Sequence, residues 1–198
     1  MTRPRRSPSA DERKRDPERT REKILDAAVV EFGEHGFAGA RISAIAARAR
    51  VNQQLISYYF DGKEGLYRAL QARWEVTSAG MNTPEMPFAG VVENFLRASV
   101  EQRSWTRLLA WEGLTGDDTE EHDAFFAAMV DDVRSRQRAG EISTELDPAY
   151  VQLVLFAAVM APAVLPQVVR RLTGRTADSP EFLDEYAEQL GKIIGRLA

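Results

Sequence analysis

The chain of 198 residues contains no cysteine, and this absence excludes disulfide bonds and metal sites built on thiolates. It contains only two histidines, His35 and His122, so it has few groups for metal ligation or for acid–base catalysis near neutral pH. Two prolines and a glutamine interrupt the longest apolar stretch, residues 151–169, which predicts a buried helix rather than a membrane span. The basic N-terminus is not followed by an apolar run typical of a secretory signal. We therefore expect a cytoplasmic protein without membrane contact.

The sequence also lacks the alternation of apolar and polar residues that marks β-strands, and it has no repeat of fixed period. Apolar residues instead recur at intervals of three and four, the spacing of one face of an α-helix. We predict an all-α protein of about nine helices. The most hydrophobic helix, over residues 149–172, should be kinked at Pro162 or Pro166.

The net charge of −4 is unevenly distributed along the chain. Residues 1–73 carry 15 Lys+Arg and 10 Asp+Glu, a balance of +5, whereas residues 74–198 carry 11 and 20, a balance of −9. A basic first part joined to an acidic remainder indicates that only the first part meets a polyanion.

The N-terminal segment is rich in proline, serine and arginine and has few apolar side chains. Such a composition predicts a disordered basic arm over residues 1–15. Its arginines are either a solvated tail or additional contacts to phosphates or a minor groove. Asp16 as N-cap and Pro17 at the first helical position predict the start of the first helix, and Gly36 predicts its left-handed end.

Residues 41–60 predict two short helices separated by a tight break, the pattern of a helix-turn-helix. Apolar residues at helical spacing predict a first helix over residues 42–49. The second helix, over residues 53–59, has a buried apolar stripe of Leu55, Ile56 and Tyr59 and a face that is polar but uncharged. Helices this short are marginal alone, so the rest of a DNA-binding domain over residues 16–66 should clamp them.

The same region resembles the DNA-binding domain of the TetR family of bacterial transcription regulators. The matching residues are ILDAA at 24–28, Phe32, Gly36, Ile45, Ala46, Ala49, Val51 and the pattern IxxYFxxKExL at 56–66. Three positions depart from the family pattern: Arg41 stands where a hydroxyl residue usually caps the first short helix, Arg50 where the turn usually has glycine, and Ser57 where the second helix often has tyrosine. The resemblance implies a second, helical regulatory and dimerisation domain, which we expect over residues 67–198.

Eight side chains are candidate contacts to a double-stranded DNA operator. They are Arg41, Ser43, Gln53, Gln54, Ser57, Tyr58, Tyr59 and Lys63. A glutamine in the major groove can pair with adenine, and the start of the first short helix is a favourable place for a phosphate. Lys63 matches the phosphate-binding lysine of the family. Asn52 should cap the second helix rather than contact bases.

The resemblance also implies a homodimer and a small-molecule effector. We expect the last two helices, about 149–172 and 180–197, to form a four-helix bundle with the partner's pair. The apolar residues proposed for it are Leu153, Val154, Phe156, Ala157, Met160, Leu183, Tyr186, Leu190 and Ile194. A mostly apolar effector would bind among Trp105, Leu109, Trp111, Phe125, Met129, Phe156 and Met160. For each of these side chains, the competing interpretation is the protein's own core.

The most specific interpretation is a homodimeric repressor that an effector releases from a pseudo-palindromic operator. A ligand-independent or activating regulator is the alternative within the same class. An enzyme that uses the C-terminal cavity is disfavoured, because no nucleophile–base set or phosphate-binding glycine loop is visible, and no cofactor is predicted. The acidic cluster around His122 is typical of a helix start rather than a metal site. A non-specific nucleoid-type protein fits poorly with the acidic remainder and the uncharged reading face.

Overall fold

The computed structural model describes residues 10–83, 85–116 and 123–197, and within them the chain forms ten α-helices and no strand. The predicted all-α class is confirmed. Contacts divide the chain into two compact units, of which the first ends at Trp74 and the second begins at Glu75. The boundary that we predict after residue 66 lies earlier in the same helix. His122 and its acidic neighbours at 117–121 lie outside the described residues.

The first unit contains the two predicted short helices between two longer ones. Its helices are α1 (Ala10–Gly39), α2 (Ile42–Ala49), α3 (Gln53–Phe60) and the part of α4 (Lys63–Ala79) up to Trp74. The bounds of α2 are those predicted, and α3 extends one residue further. Asp61 ends α3 in a left-handed conformation, and α4 begins two residues later at Lys63.

The start of α1 differs from the prediction. We expect disorder up to residue 15 and a helix from Asp16, but α1 begins at Ala10 and contains Pro17 in its interior. Residues 10–15, ADERKR, are mostly strong helix formers, which favours extension of the helix on the N-terminal side of Pro17. The rest of the predicted disordered arm, residues 1–9, lies outside the described residues.

Gly36 breaks α1, as predicted, but in a different conformation from the left-handed cap that we expect. Its backbone has φ 69° and ψ 173°, a combination that glycine adopts far more readily than other residues. The break turns Phe37 back onto the helix, so that its ring stacks on Phe32 at 5.8 Å and meets Tyr67 of α4 at 5.3 Å. This aromatic cluster joins the two long helices that clamp α2 and α3.

The second unit contains six further helices. They are α5 (Phe88–Glu101), α6 (Arg103–Thr115), α7 (Asp123–Arg138), α8 (Pro148–Val164), α9 (Pro166–Thr173) and α10 (Pro180–Ile194). Helix α5 packs against both α8 and α10, and α8 also packs against α6 and α7. The core comes mainly from α5, α8 and α10, and it includes Leu96, Val159 and Leu190.

The predicted kink of the most hydrophobic helix is a complete break. Helices α8 and α9 meet at Leu165, which has φ −122° and ψ 47°, and their axes differ by 92°. Pro166 explains the position of the break because a proline disfavours the helical conformation of the residue before it. Pro162 remains inside α8. No single helix in the described residues is long and apolar enough to span a membrane, and α8 and α9 meet that test only as a bent pair.

A buried arginine ties the loop before α5 to α7. Arg136 donates to Asp132 at 2.9 Å, to the carbonyl of Met86 at 3.0 Å and to Asn82 at 3.1 Å, and its guanidinium lies over the ring of Phe88. Each guanidinium nitrogen therefore has a partner within the unit, which favours burial of the charge.

Candidate nucleic-acid interface

Helix α3 presents a polar, uncharged face to solvent. Gln53, Gln54, Ser57 and Tyr58 are all exposed, while Ile56 on the opposite side is fully buried. The buried stripe is completed by Phe60, which the guanidinium of Arg21 covers at 5.0 Å. Leu55 and Tyr59, which we predict in the buried stripe, are only half-buried. The face is thus free to exchange hydrogen bonds with the edges of bases.

Asn52 caps α3, as predicted. Its side-chain oxygen accepts a hydrogen bond from the backbone N–H of Gln54 at 3.0 Å. This bond satisfies one of the amide groups that the first turn of a helix leaves without a partner, and it holds the start of α3 in place. The side chain of Gln54 remains available for contacts outside the protein.

The turn between α2 and α3 carries a strained residue. Arg50 has φ 57° and ψ 45°, the left-handed conformation in which a residue other than glycine costs about 1 kcal/mol. Its backbone N–H closes the end of α2 by donating to Ala47, and Val51 donates to Ala46 at 3.0 Å. The long side chain of Arg50 is exposed just before the start of α3, and from there it can approach a phosphate.

The N-terminus of α2 has no side-chain cap of its own, as the residue Arg41 at that position predicts. A carboxylate from α1 partly takes its place, because Glu31 Oε1 accepts from the backbone N–H of Arg41 at 3.3 Å. Arg41 and Ser43 are exposed at this helix end, which suits a phosphate oxygen. Sequence reasoning missed Glu31, since nothing in the local pattern links it to a helix that begins ten residues later.

Arg48 forms ion pairs with carboxylates of α1. Its guanidinium donates to Glu34 at 2.9 Å and lies 3.9 Å from the buried carboxylate of Glu31. Arg48 is exposed, and at the surface it pairs with the acidic side chains of α1. The pair is substantially exposed, so its contribution to stability is small, about 0–1 kcal/mol.

Lys63 stands at the start of α4 and contacts the chain after Gly36. Its ammonium donates to the carbonyl of Ala38 at 3.2 Å and lies 4.9 Å from the centre of the Phe37 ring. Burial lowers the pKa of Lys63, and the carboxylates of Glu64 and Glu31 oppose that shift. One of the three ammonium donors is used here, which leaves donors for a phosphate.

The two tyrosines of α3 are placed differently. Tyr58 is 80% exposed, and its ring meets the ring of Tyr59 edge-on at 5.2 Å. Tyr59 is half-buried and also contacts Phe60. Tyr58 therefore extends the polar face of α3, whereas Tyr59 belongs partly to the packing beneath it.

The seven candidate effector residues lie on α6, α7 and α8 of the second unit. Trp105 is buried, and the other six are half-buried. Phe156 meets Phe126 at 5.6 Å, and Gln152 lies 3.9 Å from the sulfur of Met129. These contacts fit an internal packing role. A cavity of about 430 Å³ in the same unit is lined by a different set of residues, and none of the seven borders it.

The predicted dimer residues divide into three groups. Phe156, Met160 and Tyr186 are half-buried, and Ala157 is exposed with its neighbours on α8. Leu183, Leu190 and Ile194 of α10 are buried in the core of their own unit, so their assignment to an interface is wrong. Leu153 and Val154 of α8 are 62% and 65% exposed, as an unpaired interface would be. On α8 the sequence could not identify the exposed side, because this helix is apolar on all sides and periodicity then does not mark its inner face. Helix α10 is amphipathic, and its apolar face is the buried one.

Family models match both parts of the chain. A model described as bacterial regulatory proteins, tetR family, matches residues 24–70, and a tetracyclin repressor-like C-terminal domain matches residues 88–190. The first match contains α2, α3 and all eight candidate DNA contacts. The second contains α5 to α9 and most of α10.

Whole-chain relatives are transcription regulators. The chain is 34% identical over 190 residues to the HTH-type transcriptional repressor SCO4008 of Streptomyces coelicolor, with 92% of this chain and 98% of that protein covered. It is 27% identical over 184 residues to the HTH-type transcriptional regulator RutR of Escherichia coli, with 86% of each covered. The fold is similar to that of the SCO4942 protein of Streptomyces coelicolor, with a TM-score of 0.70, 24% identity and coverage of 88% of this chain and 97% of that one.

Proposed function

The chain belongs to the TetR family of bacterial transcription regulators, and from this premise we propose that it is a homodimeric repressor of a pseudo-palindromic operator. In this proposal it regulates transcription and catalyses no reaction. Binding of a small molecule in the second unit releases it from DNA.

The exposed face of α3 is the observation that carries the proposal. In it, α3 lies in the major groove, where Gln53 and Gln54 pair with bases and Ser57 and Tyr58 contact base edges or the backbone. Arg41, Ser43 and Lys63 contact phosphates at the ends of α2 and α4, and the hydroxyl of Tyr59 reaches a phosphate. Phosphate contacts fix the register, while the glutamines supply the sequence preference.

The apolar face of α8 supports the dimer. Tyr150, Leu153, Val154 and Ala157 recur at spacings of three and four, and all are exposed. The opposite side of the same helix, with Val151, Leu155 and Val159, is buried in the core. A helix that is apolar on both sides is normally covered on both sides, and a second copy of the chain is the partner that a palindromic operator requires.

Selection of DNA from a random library with the purified protein tests this function. We expect the bound sequences to share a pseudo-palindrome whose half-sites are separated by about one helical turn or a multiple of it. A consensus without two-fold symmetry would contradict the homodimer. Recovery of no consensus would instead support a non-specific nucleoid-type protein.

The sign of regulation is tested separately. A reporter driven by a promoter that contains the selected sequence should be expressed less when the protein is present. Higher expression would favour the alternative, an activator with the same DNA-binding surface.

A further inference from the structure

The cavity of about 430 Å³ lies where the end of α5, the start of α6, the α8–α9 bend and the loop before α10 come together. Its walls combine two kinds of surface. Val100, Pro162 and Ala177 supply apolar area, and Arg103, Arg107 and Arg170 supply guanidinium groups. The volume is within the range of about 300–1,000 Å³ that is typical of sites for small molecules.

The positive charge at this cavity is unusual for the unit that contains it. Residues 75–198 carry 11 Lys+Arg and 20 Asp+Glu, a balance of −9, yet the cavity has three arginines and a single acid, Asp178. Arg103 and Asp178 are 3.9 Å apart, longer than a charge-assisted hydrogen bond. Within residues 10–83, 85–116 and 123–197, neither Arg107 nor Arg170 has a side-chain partner.

The two arginines of α6 are not explained by helix stability. Arg103 and Arg107 are four residues apart on one face of α6, where like charges repel each other. Arg170 approaches the same cavity from α9, and the first turn of α9, with Gln167, also borders it. The positive end of the α9 dipole lies at Gln167, whereas Arg170 lies in the last turn of the same helix, where the dipole favours a cation.

We propose that this cavity binds a small amphiphilic anion. A carboxylate or phosphate monoester group binds to Arg107 and Arg170, whose planar guanidinium groups match both head groups. A short apolar body packs on Val100, Pro162 and Ala177. The inference rests on the proposed function, because it names the chemical class of the effector, and it replaces the mostly apolar ligand expected from the sequence.

The position of the cavity gives the anion a route to regulation. The cavity is lined by Pro162 on α8 and by Arg170 on α9, which lie on the two sides of the 92° bend at Leu165. A ligand that bridges the bend stabilises one angle between these helices, and α8 carries the exposed face proposed for the dimer. Ligand and DNA affinity are then coupled, and each must change the other by the same factor.

Direct binding of three fluorescent probes to the full-length protein tests the site. Naphthoate and naphthyl phosphate carry the two anionic groups on the same apolar body, and naphthamide is their neutral counterpart. We expect at least one anion to bind about tenfold or more tightly than the amide at constant ionic strength, and the tighter of the two identifies the head group. Equal affinities, or no saturable binding of any probe at millimolar concentration, would overturn the proposal.

Arginine variants locate the binding. Arg107→Gln and Arg170→Gln should each weaken the better anion about tenfold or more and leave the amide unchanged. Arg171→Gln is the matched control, since Arg171 is the exposed neighbour of Arg170 on α9 and does not line the cavity. An equal loss in the control would mean general charge attraction and would overturn the site. Circular dichroism and thermal unfolding confirm that each variant is folded.

The effect of the bound anion on DNA affinity is measured separately. With a selected operator, a saturating concentration of the bound anion should lower DNA affinity by about fivefold or more. Binding of the anion without any change in DNA affinity overturns its role as effector. Failure of the ligand-free protein to select any DNA sequence would instead contradict the proposed function itself, so the two failures are distinguishable.

Discussion

Helices α3 and α8 each leave one face open to solvent, and the two faces have opposite chemistry. The face of α3 is built from amides and hydroxyls, whereas that of α8 is built from Leu153, Val154 and their neighbours. A polar, uncharged face exchanges hydrogen bonds with water or with base edges at little cost. An apolar face gains free energy only when a partner removes it from water. This difference is the reason that we propose DNA as the partner of the first surface and a second copy of the chain as the partner of the other.

The largest expected effect follows from placing a charge on the apolar face. Val154→Glu should raise the dimer dissociation constant by about 100-fold or more, because each protomer would bury an unpaired carboxylate. Sedimentation equilibrium measures this change. Val76→Glu is the control, since Val76 on α4 is an exposed valine outside the α8 face, and it should leave the dimer intact. A dimer of unchanged strength in the α8 variant would rule out this interface.

The second effect concerns the polar face. Gln54→Ala should weaken operator binding by about 1–3 kcal/mol through lost base contacts, with a much smaller effect on random DNA. Competition binding with both DNAs at one salt concentration measures the difference. Gln189→Ala on α10, also exposed, should change neither affinity. Equal losses on operator and random DNA would show that Gln54 does not read sequence.

The predicted phosphate contact has a smaller, salt-dependent effect. Lys63→Ala should reduce the slope of log affinity against log salt by about 0.9 for each protomer, because one fewer phosphate is neutralised. Titrations at several salt concentrations give the slope. Lys192→Ala on α10, where Lys192 pairs with Glu188, should leave it unchanged. An unaltered slope in the Lys63 variant would mean that the ammonium stays with Ala38 and Phe37 on DNA.

The smallest effect concerns the turn that orients the polar face. Arg50→Gly should raise the free energy of unfolding by up to about 1 kcal/mol, since glycine tolerates the left-handed conformation. Arg48→Gly is the matched contrast, because Arg48 is inside α2, where glycine costs about 1 kcal/mol. Urea unfolding should give opposite signs for the two variants, and the same sign for both would contradict the assigned backbone strain.

The local features of the DNA-binding region could be predicted from the sequence. The apolar spacing gives the bounds of α2, and Asn52 gives the cap of α3. These signals lie within a few residues of the structure that they specify. The start of α1 could not be predicted because Pro17 suits a first turn better than a helix interior. The hydrogen bond between the carboxylate of Glu31 and the backbone N–H of Arg41 could not be predicted, because only tertiary packing brings α1 and the start of α2 together.

The surfaces of the second unit were less predictable. Helix α10 has one apolar face, and Leu190 on that face is buried, whereas α8 is apolar on all sides and its Val154 is exposed. Packing against α5, α6 and α7 decides which side of α8 is buried. The arginine cavity combines two neighbouring positions on α6 with Arg170, some sixty residues later. The repeated arginine at Arg103 and Arg107 was the one local signal available, and alone it is typical of a solvated face.

The central claim is that two α3 faces, held together through α8, bind one operator, and the spacing between half-sites tests it most directly. Insertion of about five base pairs at the centre of a selected operator turns one half-site to the opposite side of the duplex. A paired reading surface predicts that affinity then falls to that of a single half-site. Retention of full affinity after the insertion would contradict the claim.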